Sequence, residues 1–291
     1  MKPHLHLVGR DMRPVRADLH THIGTAKEIV CKYGVERILD QAHETLGEGG
    51  ILGIANFRGQ YQTQDHLHFD NFFGACGSFG EVDLGNAIYF SDRDILVVKG
   101  EEVVVFENKR EAHLLFLGTS YGTNMTPEST FELAVEEGRR KGAIIGLDHP
   151  FARMGLIYQV THDDERIEEI LSAVDFLEVH NGEMCIPFLG LGSNQDTQAY
   201  YDYHKEKYPN LGAIISSDGH SLEEIGSSYT FLPMPMDYSC LTDSEAVLKY
   251  LGSAIRNSRI PDGRRRSSYR GAFMHGLAIL PKLRKKLTER S

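Results

Sequence analysis

Imidazole and carboxylate side chains recur in this chain directly after short apolar runs. Five fragments carry them: Asp18-Leu19-His20-Thr21-His22, Gly100-Glu101-Glu102, Ala112-His113-Leu114-Leu115, Leu147-Asp148-His149-Pro150 and Ser217-Asp218-Gly219-His220. Nitrogen and oxygen donors in this mixture suit borderline divalent metals. The preceding runs, such as Ala143-Ile144-Ile145-Gly146 and Gly212-Ala213-Ile214-Ile215, read as strands, which puts the donors where barrel strands end. The chemistry expected of such a set is hydrolysis at a metal cluster.

Spacing alone is weak support. The chain has 14 His, and a random arrangement would give about 0.7 His-x-His pairs. It contains His4/His6, His20/His22 and His66/His68. The middle pair is set apart by its place at a strand end, where alternation turns both rings to one face. Ordinary surface histidines are the better reading of the other two pairs.

The elements that must position these residues alternate along the chain. Strands are predicted over 15–22, 51–55, 95–98, 103–106, 113–117, 143–146, 176–179 and 212–216. Helices are predicted over 34–47, 127–141, 163–172, 196–208 and 244–257, the second with Thr126 as N-cap and Pro127 as its first residue. This order predicts a parallel sheet closed into a (β/α) barrel. Residues 56–94, rich in Gly, Asn, Asp and aromatics, read as an insertion at the active-site end. Within it, Phe69, Phe72, Phe73, Phe79 and Tyr89 are expected to form a small satellite core.

A chain of 291 residues with 41% hydrophobic residues can bury one full core. The expected division is a barrel over 1–255 and a basic extension over 256–291 packed on it. The net charge of -10 is unevenly spread: residues 256–291 hold eleven Lys or Arg against two acidic residues, which leaves -19 for the rest. Basic runs at 264–266 and 282–286 read as a solvated loop and a cationic helix end, in preference to a surface for nucleic acid or membrane. Cys31, Cys76, Cys185 and Cys240 lack paired spacing and are expected to be reduced thiols. No apolar run approaches the roughly 20 residues of a membrane span. With the polar opening Met1-Lys2-Pro3-His4, this predicts a cytoplasmic protein without integral membrane association.

In the order and spacing of the five fragments, residues 16–228 resemble the PHP family, named for polymerase and histidinol phosphatase. The first and last fragments carry the resemblance most specifically, supported by His149-Pro150 and Gly100-Glu101-Glu102. The resemblance implies an α/β fold, a distorted TIM-like (β/α)7 barrel whose C-terminal end holds divalent zinc, manganese, iron or magnesium and hydrolyses phosphate esters. It implies one metal on His20, His22 and Asp218, and a second on His113 and His149. Glu102 would bridge them, with Glu101 read as a salt-bridged neighbour, and His220 would serve a third metal or the phosphate. The chain departs from the family pattern at Ala55-Asn56-Phe57, where Thr-Asp-His is usual, and at Glu28, where a further His is usual. Two tightly held metals per chain are therefore expected, any third being weak or resting on unusual ligands.

Around these, Glu178 would support the cluster, Asn181 would shape a turn, and Asp18 and Asp148 would orient rings or form salt bridges. Asp218 and His220 are the candidate catalytic groups, His220 or a water protonating the leaving oxygen. Arg153 and His180 are candidate substrate contacts, the arginine through a bidentate grip on phosphate. The expected reaction is hydrolysis of a phosphorylated small molecule, a phosphomonoester, by a metal-activated water. The alternatives are a phosphodiesterase or exonuclease acting on nucleic acid, an amidohydrolase-like hydrolase, and a noncatalytic metal-binding module. No residue pattern names the substrate or the oligomeric state.

Overall fold

The computed structural model describes residues 12–24, 34–58, 63–77, 81–119, 129–184, 192–258 and 262–266. His4, His6, Glu28, Cys31, Phe79, Thr126, Pro127, Cys185 and the basic segment beyond residue 266 lie outside the described residues. The strands are β1 (Met12–Thr21), β2 (Gly50–Arg58), β3 (Glu81–Asp83), β4 (Ala87–Phe90), β5 (Ile95–Glu107), β6 (Arg110–Leu117), β7 (Ser129–Thr130), β8 (Ile144–Leu147), β9 (Phe176–Asn181), β10 (Gly212–Ser216), β11 (Tyr229–Pro235) and β12 (Gly263–Arg264). The helices are α1 (Gly34–Leu46), α2 (His68–Ala75), α3 (Phe131–Arg140), α4 (Leu156–Gln159), α5 (Asp164–Ala173), α6 (Ser193–His204) and α7 (Ser244–Asn257).

Seven strands make the barrel wall, in the order β10-β9-β8-β6-β5-β2-β1. The wall comes round on itself through a parallel bridge between Thr21 and Gly219. There the His22 amide donates to the Gly219 carbonyl at 2.8 Å and the Asp218 amide to the His20 carbonyl at 2.9 Å. The wall is a nearly closed α/β barrel, as the sequence predicts, but it is not wholly parallel. β5 is one strand of 13 residues in place of the two short ones expected, and β6 pairs with it and with β8 antiparallel. The cause is the tight turn at Asn108-Lys109, whose φ of 50° and 62° suits a two-residue hairpin. Because β6 runs backwards, its beginning lies at the end of the barrel where the parallel strands finish.

The inward faces divide along the barrel axis. Ala17, Ile51, Leu96, Val98, Leu115, Leu117, Ile144, Phe176 and Ile214 form a buried apolar floor, closed beneath by Val247 and Leu251 of α7. Along the same strands the next inward positions are polar. On β5, Leu96 and Val98 give way to Glu102; on β9, Phe176 gives way to Glu178; on β6, Leu115 lies beyond His113. On β1 a register shift against β2 between Asp18 and Thr21 makes the change. This bulge lets Val15 and Ala17 belong to the floor while His20 and His22, of the other parity, also point inward. Simple alternation along 15–22 missed it.

Helices cover the outside. Ile38, Leu39, Ala42 and Leu46 of α1 pack on Leu52 and Ile54 of β2 and Val97 of β5. Phe69 and Phe72 of α2 join the same cluster, with Phe73 against it, so they belong to a main core shared with α1, β2 and β5 and not to a small satellite, and Tyr89 packs instead against the floor cluster. The helix expected over 127–141 begins later. Ser129 and Thr130 are strand residues, and Thr130 caps α3 by accepting from the Leu133 amide. Cys76 and Cys240 are free thiols. Among the described residues no helix is long and apolar enough to cross a membrane.

Candidate metal centre

At the polar end of the barrel, four imidazoles and four carboxylates meet, all buried: His20, His22, His113, His149, Glu102, Asp148, Glu178 and Asp218. His20 Nε2 lies 3.2 Å from His22 Nε2 and 3.5 Å from Asp218 Oδ1, which is 3.4 Å from His22 Nε2. Donors held about 2.0–2.1 Å from one ion at tetrahedral angles stand about 3.3 Å apart. The three edges of this triangle match that spacing. Asp218 Oδ1 has no hydrogen-bond donor, and such a buried orphan acceptor is costly unless a cation satisfies it. The residues present therefore fit a divalent ion.

A second group forms beside it. Glu102 Oε1 touches His113 Nδ1 and lies 3.8 Å from His149 Nε2, while Asp148 Oδ2 is 3.1 Å from the same His149 nitrogen. Both Asp148 oxygens lack a hydrogen-bond donor. The other Glu102 oxygen, Oε2, stands 3.1 Å from His22 Nε2 in the first group. One carboxylate thus presents one oxygen to each group.

Glu178 braces both. Its Oε1 is 3.0 Å from His20 Nδ1 and accepts from the Ser216 hydroxyl, and its Oε2 accepts from the His149 amide at 2.9 Å and from Asn181 Nδ2 at 2.9 Å. His20, Asp148 and Glu178 also converge as a third possible donor set. An imidazole whose Nε2 faces one ion uses Nδ1–H to donate to a carboxylate, so we read Glu178 as the brace and not a ligand. Asn181 donates to Asp218 Oδ2 at 3.0 Å, and His22 Nδ1 is 3.2 Å from the Ala55 carbonyl, which fixes that ring's tautomer. Backbone strain marks the same place: His149 and Asp218 have φ of 26° and 52° and are held there by the bonds just described. Glu178→Gln is expected to lower divalent-metal affinity about 10–100-fold; competition with a chelating dye would read it, and unchanged affinity would remove Glu178 from this role.

The electrostatics call for positive charge. Burial pushes Glu102 up, but His113 and the hydrogen bonds from three imidazoles outweigh it and hold the carboxyl well below its usual range. Burial lowers His20, yet Asp218, Asp148 and Glu178 around it raise it well above its ordinary value. Burial raises Asp148 as well, against the pull of His20. The carboxylates are too concentrated to be buried without cations beside them, and divalent ions supply that charge without protons.

Most of the expected residues meet here, and some do not. His220 lies at the rim, its ring 4.8 Å from that of His22 and its Nδ1 2.9 Å from the Asp218 carbonyl and 3.1 Å from Glu183 Oε1. Arg153 stands exposed on the turn after Pro150, and no bond among the described residues ties its guanidinium to the cluster. His180 is buried one turn of strand beyond Glu178, where burial first and Arg265 second push it down to about 4. Asp18 accepts from the Ser217 amide and hydroxyl and from the Gly226 amide, so it ties the barrel seam and orients no ring. The surface reading of His68 is overturned: it is buried, 6% exposed, with its ring 5.2 Å from that of His22. The available signal was the amphipathic pattern of Phe69 and Phe72, which buries the start of α2. Glu183 had no signal in the sequence.

The chain has the barrel fold of PHP-like metal-dependent phosphoesterases. A two-domain protein from Bacteroides vulgatus containing a predicted PHP-like metal-dependent phosphoesterase matches with a TM-score of 0.53 and 15% identity, over 91% of this chain and 69% of that one. The lesion-specific endonuclease PfuEndoQ from Pyrococcus furiosus matches with a TM-score of 0.52 and 17% identity over 87% of this chain, which spans 57% of the endonuclease. PsfC from Pseudomonas syringae matches with a TM-score of 0.54 and 16% identity, over 95% of this chain and 100% of PsfC. No family model matches the sequence, and no curated protein does.

Proposed function

We propose that this protein is a metal-dependent phosphoesterase that hydrolyses a phosphomonoester. The observation that carries the reading is Glu102, which turns one oxygen to His22 and the other to His113 and His149. In this reading His20, His22 and Asp218 hold one ion, His113 and His149 with Asp148 beside them hold a second, and Glu102 joins the two. Divalent ions held there would supply Lewis acidity and would lower the pKa of water. The chain's own residues supply the rest. The apolar floor excludes bulk water from below, so charges at the site act in a low dielectric. Glu178 and Asn181 lock His20, His149 and Asp218 in place, so little reorganisation accompanies the reaction. His220 is held by Glu183 and the Asp218 carbonyl at the open rim, where it can protonate the leaving oxygen.

A second reading is a nuclease. It is favoured by Arg265 and Arg266, which are exposed next to His180 at the same end of the barrel and could track a phosphate backbone. The fold is shared with an endonuclease, and the acidic balance of the first 255 residues weighs on the other side. In either case residues 256–291 are proposed to pack on the barrel, as β12 does by pairing with β11.

Purified protein supplied with manganese or zinc should release phosphate from a generic phosphomonoester faster than it cleaves a generic diester or an oligonucleotide. His149→Ala should abolish that release. Diester preference would promote the nuclease, and activity indifferent to His149 would sink both readings.

A further inference from the structure

We propose that Phe57, with His66 against it, forms the wall that receives the organic part of the ester, and that it favours a leaving group carrying a planar ring. This rests on the phosphomonoester reading above and names a substrate class for it. On β2, Phe57 is in parallel register with Glu102 of β5. Side chains level with one another on neighbouring strands stand on the same face, about 4.8 Å apart. The phenyl ring therefore points into the barrel mouth, beside the carboxylate that joins the two donor groups. Its centroid lies 5.8 Å from that of the His113 ring, at 72°. His66, on the short turn Gln64–His66, meets the same phenyl ring at 5.7 Å and 74°. The Thr63 amide donates to His66 Nδ1 at 3.2 Å and so orients that imidazole.

The core does not account for Phe57. Among the described residues it belongs to none of the three apolar clusters and packs against none of them. It is half-buried, whereas Ile51 and Ala55, inward residues before it on β2, are fully buried in the floor. A phenyl ring also offers an ion no donor atom. An aromatic side chain left partly in water at the edge of a polar cavity is instead what lines a ligand pocket. The floor closes the barrel below the cluster, so the organic part of an ester held there extends toward the mouth, where Phe57 stands. A planar ring gains offset or edge-to-face packing on a phenyl group beyond simple burial, and a saturated ring does not.

The strand end is fastened on both sides of Phe57. Asn56 accepts from the Phe69 amide at 2.8 Å and from the Asp70 amide at 3.4 Å, so it caps α2, whose own preceding residue, Leu67, has no capping side chain. Arg58 donates to Glu101 Oε1 from Nε at 3.2 Å and from Nη2 at 3.1 Å. Both neighbours spend their side chains outside the barrel and hold the backbone between them. A ring presented from a fixed strand loses little freedom when a ligand packs on it.

Benzyl phosphate and cyclohexylmethyl phosphate are the probes. Both are esters of primary alcohols of similar size, and only the first carries a planar ring. With manganese supplied, wild type should favour the benzyl ester about tenfold in kcat/KM. In Phe57→Leu that ratio should fall to about one, and in Phe57→Tyr, which keeps the ring, it should stay within about twofold of wild type. Metal content should be the same in all three proteins. A ratio near one in wild type would overturn the proposal, and so would loss of metal from Phe57→Leu. A parallel fall for both esters in Phe57→Leu, or no change in either, would overturn it too, since a ring that only props His113 cannot tell the esters apart. Hydrolysis of neither ester by metal-loaded wild type would overturn the phosphomonoester reading itself, and this proposal with it.

Discussion

Glu102→Gln is expected to reduce phosphoester hydrolysis about 10³-fold, because the bridge between the two donor groups is lost. An amide keeps the volume of the carboxylate but has one neutral oxygen in place of two anionic ones. It cannot face both His22 and the His113–His149 pair as an acceptor, as Glu102 does. A loss of that size corresponds to about 4 kcal/mol of transition-state stabilisation, in the range that metal-ion catalysis supplies. Metal content should fall with activity. Steady-state rates and elemental analysis on the same preparation would check this, and a rate within about threefold of wild type would refute the bridge.

Glu101→Ala, one residue away, should do the opposite: destabilise the fold by about 3–5 kcal/mol while metal remains bound. Strand alternation turns Glu101 to the outer face of β5, where it accepts from Arg58 Nε at 3.2 Å and Nη2 at 3.1 Å, with Lys99 3.8 Å away. Burial raises the Glu101 carboxyl and Arg58 and Lys99 draw it back. Removing it leaves two buried cations sharing Asp70, at 3.7 and 3.1 Å. Denaturant unfolding would measure the loss. Unchanged stability with metal released would mean that the two glutamates have been assigned to the wrong faces.

The choice of Glu102 over Glu101 was legible only through the resemblance to the family's Gly-x-Glu pattern, because the strands read from the sequence stopped at 98 and resumed at 103, whereas both glutamates lie within one strand. The gathering of His20, His22, His149 and Asp218 at one end of a barrel was legible too, because each lies at the end of an apolar run and parallel strands finish at one end of the sheet; His113, near the start of β6, joins them only because that strand is reversed. Three features were not. Reversal of β6 depends on the hairpin at Asn108-Lys109, and periodicity carries no direction. The bulge in β1 depends on register against β2, which belongs to the pair and not to either strand. His68 depends on a cap provided by Asn56, thirteen residues before Phe69, and a tertiary cap leaves no local signature.

The seam that joins β1 to the end of β10 also imposes a chronology on the molecule. Asp18 and Ser217, bonded across it, are 199 residues apart in sequence. A growing chain therefore exposes His20 and His22 long before Asp218 exists to complete their group. Contacts of such long range form late, and synthesis proceeds at about 5–20 residues per second, so for about ten seconds or more the pair is only two histidines on an unfinished strand. In the proposed reading, a divalent ion on this group would load only into the finished barrel and would brace the ring from the inside, across the junction between its first and last wall strands.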